Sequence, residues 1–187
     1  MILLFVRLLG IHDPKWGQKL EEVSESGIVS KYQYDGFGRV KEQRDHNGNI
    51  TEYKLEWDIG NSNSSSPLNS NNSIYSSKIQ NPDGSHVKIW YDSFERERKR
   101  EESGFNQPTY KITSYDSRGN VKTSTAPYFL GSSNIILNTN TYNRFNRIGT
   151  SSSQLGTTSY TYNYSGGNLE TIITCLLYTS PSPRDRG

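Results

Sequence analysis

The chain has 187 residues, of which 31% are hydrophobic, and a formal net charge of +2. So little apolar content points toward disorder, but the near-zero charge and a 12% aromatic share, supplied mostly by 13 tyrosines, argue against it. Near-neutrality also removes the electrostatic reason to expect nucleic acid or an anionic membrane as a partner, and no stretch is long enough to span a bilayer.

Met1–Leu9 is apolar but interrupted by Arg7. No basic residue precedes Arg7, and Ile11-His12-Asp13-Pro14-Lys15-Trp16 offers no small-residue cleavage site, so the run does not read as a signal peptide. Residues 1–27 are expected to hold a strand-like segment of a preceding unit. Ile28–Tyr34 alternates in the strand pattern and leads into a turn at Asp35. Ile50–Trp57 is the cleanest strand, with Tyr53, Leu55 and Trp57 on one face and Glu52, Lys54 and Glu56 on the other. That pattern predicts an antiparallel sheet buried on one side. Residues 58–80, dominated by Asn and Ser, read as a loop inserted between units. Glu95–Glu102 is a dense run of mixed charge, the composition of a solvated edge strand. Strands are predicted at Val87–Tyr91, Tyr110–Tyr115, Val121–Thr125, Ile135–Tyr142, Tyr160–Tyr164 and Leu169–Ile173, with no helix.

One stretch recurs. Tyr34-Asp35-Gly36-Phe37-Gly38-Arg39-Val40 returns at Tyr91-Asp92, at Tyr115-Asp116-Ser117-Arg118-Gly119-Asn120, at Tyr142-Asn143, and in short form at Tyr164-Ser165-Gly166-Gly167-Asn168. Such spacing marks one supersecondary unit stacked on copies of itself. Asp at i with Gly at i+3 suits a type I turn ending in a left-handed residue, which gives a three-residue hairpin with a bulge. Asp45-His46-Asn47-Gly48 and Asn81-Pro82-Asp83-Gly84 carry the same turn chemistry. Two copies lack the glycine: Asn146 tolerates the left-handed conformation, whereas Glu95 is expected to alter the turn at Asp92.

These residues resemble the YD-repeat (Rhs) family, whose units read Tyr-Asp-x-x-Gly-Arg/Asn-Leu/Val, over residues 28–174. The resemblance implies an all-β fold in which antiparallel hairpins form a curled sheet, part of a hollow shell around a C-terminal toxin or effector. Proteins of this kind are large, secreted or cell-surface and typically bacterial, such as polymorphic toxins and the shells of toxin complexes; teneurins share the repeat. The implied partners are other repeats of the same polypeptide and the enclosed C-terminal domain. No catalytic, cofactor or metal residue is carried over, because no counterpart of the family's self-cleaving aspartyl site occurs in this sequence.

Other constellations add little. Asp45, Asn47, Asn49 and Glu56 stand at calcium-loop positions, but Ile50 occupies the place that needs Gly. His12, His46 and His86 lack ligand spacing, and no nucleophile elbow or phosphate loop occurs. Tyr160, Tyr162 and Tyr164 share a strand face, which leaves open an adhesin or module binding cell-surface carbohydrate. Finally, Cys-Leu-Leu-Tyr-Thr-Ser-Pro-Ser-Pro-Arg-Asp, from Cys175, resembles the translated adapter end of a transposase-based sequencing library. Cys175–Gly187 is therefore expected to be a non-native tail that packs against nothing.

Overall fold

Tyrosines and β-branched residues in alternating runs, punctuated by Asp-x-x-Gly turns, leave the backbone one way to satisfy its hydrogen bonds, which is against the next strand. The structure, a computed structural model, describes residues 9–57 and 73–177. These form fifteen strands: β1 (Leu9–His12), β2 (Lys19–Val23), β3 (Val29–Tyr34), β4 (Val40–Arg44), β5 (Ile50–Trp57), β6 (Tyr75–Gln80), β7 (His86–Tyr91), β8 (Glu97–Glu102), β9 (Thr109–Tyr115), β10 (Val121–Thr125), β11 (Tyr128–Phe129), β12 (Leu137–Tyr142), β13 (Ile148–Ser153), β14 (Gly156–Ser165) and β15 (Asn168–Leu177). No helix occurs among the described residues.

All fifteen belong to one open, curled antiparallel sheet in which neighbours follow the order of the chain. The exception is β11, which continues past β10 along the same side of β9 and pairs with Thr109 and Tyr110. At about 4.8 Å per strand, the path from β1 to β15 runs roughly 60 Å along the curled surface. The register slips by one residue beside Tyr34, Tyr91, Val121 and Tyr142, the bulge expected of this hairpin type.

The sheet is one layer thick. Tyr53, Leu55 and Trp57 share their face with Ile79, Ser77 and Tyr75 of β6 and with Val87, Ile89 and Tyr91 of β7. Nothing among the described residues covers that face: Leu55 is 44% and Trp57 78% exposed, against the expectation of one-sided burial. Ile112 is the only buried hydrophobic side chain described. Stability therefore rests on ladder hydrogen bonds and on contacts between strand neighbours, such as Tyr75 stacked on Tyr91 at 5.0 Å.

Four expectations need correction. Within the expected loop of residues 58–80, residues 58–72 lie outside the described residues, but Tyr75–Gln80 is a strand paired on both sides. Its serines hid it, because Ser reads as loop, whereas a neighbouring ladder on each side holds any side chain extended. The charged run Glu97–Glu102 is an interior strand, between β7 and β9. Its charges find partners along and across the sheet: Arg100 pairs with Glu97 and Glu102, Glu101 hydrogen-bonds His86, and the buried Arg98 lies over the Tyr115 ring. Third, the chain does not leave the sheet at Cys175, since Cys175, Leu176 and Leu177 pair with Thr158, Thr157 and Gly156. A segment rich in apolar residues and Thr extends a hairpin ladder whatever its origin. Fourth, the turn at Asp92 is unaltered, because Glu95 adopts φ 59° in place of glycine, as Asn146 does.

Gly38 and Gly119 have φ of 81° and 88°. At Gly119 an added Cβ would meet nothing closer than Arg96 Nη1 at 3.6 Å, so a substitution there is charged for conformation alone. Gly119→Val is expected to lower unfolding stability by about 1 kcal/mol or more, and Glu95→Gly to raise it by about as much, in chemical denaturation. Neutral results at both positions would refute the turn assignment.

Candidate functional site

Because successive strands alternate in direction, the turns after β1, β3, β7, β9, β12 and β14 fall at one end of the sheet. The recurrent motif occupies this rim, where its residues form a repeated clasp. In the turn at Asp35, the Asp35 amide donates to the Arg39 carbonyl at 2.9 Å and the Gly38 amide to the Asp35 carbonyl at 3.0 Å. The Asp35 carboxylate accepts the amides of Phe37 and Arg39 through Oδ1 and the Arg39 guanidinium through Oδ2.

The same set recurs with different donors. Asp92 accepts from Phe94, Arg96 and the Arg96 side chain; Asp116 accepts from Arg118, Asn120 and the Asn120 side chain. Asn143 keeps the two amide bonds, to Phe145 and Arg147. At the opposite end of the sheet, Asp45 holds Asn47, Asn49 and the Asn49 side chain in the same way. Its carboxylate is thus spent on the turn, and Glu56 binds Lys88 instead.

The motif tyrosines connect one clasped hairpin to the next. The Tyr34 hydroxyl donates to the Lys19 carbonyl at 2.7 Å, Tyr115 to Glu97 at 2.9 Å, and Tyr142 to Val121 at 2.9 Å. Each acceptor is the first residue of the strand leaving the previous turn on the rim. Arg96 adds to this by lying over the Tyr115 ring at 4.4 Å. Arg118 crosses from its own turn to the Asn143 carbonyl at 2.8 Å, and Asn120 reaches Asn146. Two copies depart from the scheme. Tyr91 stacks on Tyr75 instead, because β6 enters from residues 58–72 rather than from a clasped turn. Tyr164 is 77% exposed on a part of β14 that extends past its last β13 partner. Beyond it, Gly166 and Gly167, at φ 58° and 83°, form a two-residue turn closed by Ser165 and Asn168.

The structure adds residues that the sequence reading passed over. Asp13 opens a further rim turn: it holds the amides of Lys15 and Trp16, and the Gly17 amide donates to its carbonyl. One inserted residue and His12 in place of Tyr disguised it, although Asp and Gly four apart were visible. Ser103, His86 and Glu101 form a row at the end of β7 and β8, with Ser103 Oγ 2.9 Å from His86 Nδ1 and His86 Nε2 2.7 Å from Glu101 Oε1. Ser103 Oγ also accepts the His86 amide at 2.7 Å, so the row closes the ladder between the two strands.

No family model and no curated protein matches the sequence. Among solved structures, the crystal structure of TcdB2-TccC3-Cdc42 aligns over 88% of this chain at 17% identity and a TM-score of 0.43. The alignment spans 10% of that much longer chain. No helix among the described residues is long and apolar enough to cross a membrane.

The clasps at both ends of the sheet give it a pH dependence. Hydrogen bonds from the Arg39, Asn49 and Asn120 side chains hold the carboxyls of Asp35, Asp45 and Asp116 below their ordinary value of 3.8. At Asp92 burial pushes upward, but the bonds from Arg96 and Phe94 outweigh it and the net direction is also down. A depressed native value stabilises the fold fully above the unfolded value and ceases to do so as pH falls through the native one. Thermal stability is therefore expected to be level above about pH 5 and to fall from about pH 4 downward. Asp116→Asn, which copies Asn143, should keep the turn and flatten part of that decline in thermal melts; an unchanged decline would refute the link. Tyr115→Phe and Tyr142→Phe should each cost about 1 kcal/mol, and Tyr164→Phe nothing measurable.

Proposed function

We propose that this chain is a non-catalytic wall segment of a large secreted or cell-surface bacterial protein of the YD-repeat type. It forms part of a β-shell that encloses or presents a C-terminal toxin or effector. The observation that carries this reading is the alternation of clasp and tyrosine bridge along one rim of a sheet that has no core of its own. Three of the hairpins are fastened to their predecessors by Tyr34, Tyr115 and Tyr142, so hairpins can be added one after another while no fold closes around them. This is the behaviour of a repeat array, whose stability is a sum of unit and neighbour terms. The partners are then further repeats of the same polypeptide, alongside β1 and β15, and an enclosed segment against the uncovered apolar face of β5 to β7. A sugar-binding tyrosine platform gains less support, because Arg147 lies over the Tyr162 ring at 5.2 Å and occupies one of its faces.

The test is to compare this chain alone with the same chain extended by the neighbouring repeats of its parent gene. Alone, it should melt broadly and show no hydrolase activity; extended, it should melt sharply. A sharp, cooperative melt of the chain alone would mark it as a complete domain and return the adhesin reading to first place.

A further inference from the structure

The apolar face of β5 to β7 ends, at β8, on a buried charge. Lys99 stands opposite Trp90 and Ile112 and so belongs to the other face. Arg98 beside it takes the face of Tyr91 and Tyr115, with its guanidinium carbon 5.8 Å from the centre of the Tyr115 ring. Arg98 is 8% exposed, and its Nε is sealed from solvent with no hydrogen-bond partner among the described residues. The carboxylates around it are engaged elsewhere, Asp92 by Arg96, and Glu97 and Glu102 by Arg100. The Tyr115 ring offers Arg98 an aromatic face but no counter-charge.

A cation withdrawn from water without an anion disfavours the fold that holds it, and gains more than an exposed one when an anion arrives. Beside it run exposed apolar side chains: Tyr91 stacks on Tyr75, and Tyr75 meets Trp57 edge-on. An unpaired guanidinium at the end of such a row is complementary to a carboxylate carried next to apolar side chains.

We propose that Arg98 receives an Asp or Glu carboxylate of an extended peptide segment lying across β8, β7, β6 and β5. The inference rests on the wall reading and names the chemistry of the segment that the wall encloses. Tyr91, Tyr75 and Trp57 stand one, two and three strands from Arg98, roughly 5, 10 and 14 Å away. Along an extended segment, side chains on one side recur about every 7 Å. With the acid on Arg98, the second residue beyond it therefore falls on the Tyr91–Tyr75 stack and the fourth on Trp57. The segment reads as an acidic residue followed by apolar residues at alternate positions.

The probe is a fluorescently labelled peptide Glu-Ser-Leu-Ser-Leu, capped at both ends, titrated with the full chain in fluorescence anisotropy. It should bind at least tenfold more tightly than the same peptide with Gln in place of Glu. Arg98→Met should abolish that preference, and Arg98→Lys should restore part of it. In chemical denaturation of the chain alone, Arg98→Met should raise the midpoint, because an apolar side chain of similar length replaces an uncompensated charge. A structural arginine that only packs on Tyr115 gives the opposite pattern: a lower midpoint and no effect on the preference. Either of those results, equal binding of the two peptides, or no binding at millimolar concentration would overturn the proposal. So would displacement of the peptide by an equal concentration of inorganic phosphate, which would make this a site for free anions. Asp58 is the one carboxylate in residues 58–72. Asp58→Asn should leave the peptide's affinity unchanged, and tighter binding would make Asp58 the occupant and overturn the proposal. A sharp melt of the chain alone refutes the wall and leaves the peptide preference standing, whereas a lost preference with a broad melt refutes the site alone.

Discussion

A carboxylate has room for several hydrogen bonds, and the short turn brings donors from two and four residues downstream within its reach. Asp35, Asp92 and Asp116 each take two amides and one side chain, and in doing so fix where the returning strand begins. Everything else follows from that start. A one-residue slip would turn every side chain of the returning strand to the other face. The clasp prevents the slip in a sheet where no packed core could do so. Coreless folds need their register set locally, and here it is set at the turns.

The tyrosine bridges carry the local order across the sheet. Tyr34, Tyr115 and Tyr142 each hold the first residue after the preceding clasp, so these three hairpins are positioned by the ones before them. A typical hydrogen bond contributes only about 1 kcal/mol net. With Ile112 the only buried hydrophobic side chain among the described residues, such bonds are a large part of what distinguishes the curled sheet from a loose succession of hairpins. The same economy explains the exposed Leu55 and Trp57, whose face has nothing of this chain to pack against among the described residues.

The all-β class, the strand at Ile50–Trp57 and the left-handed glycines were legible in the sequence because each depends on residues within one turn or one strand. The fourth-residue donor of the clasp was only half visible. Arg39, Asn49 and Asn120 differ in size and charge and share nothing but an N–H that reaches back. The targets of the tyrosines were invisible, since a backbone carbonyl belongs to every residue. Burial was misjudged for a physical reason too: alternation at β5 tells which side chains share a face, but not whether anything covers it. β6 and β8 were misread because serine and charge describe a side chain's preference for water, yet Ser76 and Arg98 are buried between neighbouring strands.

The alternation of turns between the two ends of the sheet constrains how such a gene can change. Removing one hairpin leaves every later clasp on its own rim. Removing one strand would carry all later clasps, together with their tyrosines, to the opposite rim and break the link to the clasps before it. Insertions are harmless only where the chain already turns between strands. The heritable unit of length in this protein is thus two strands, and its evolution counts in even numbers.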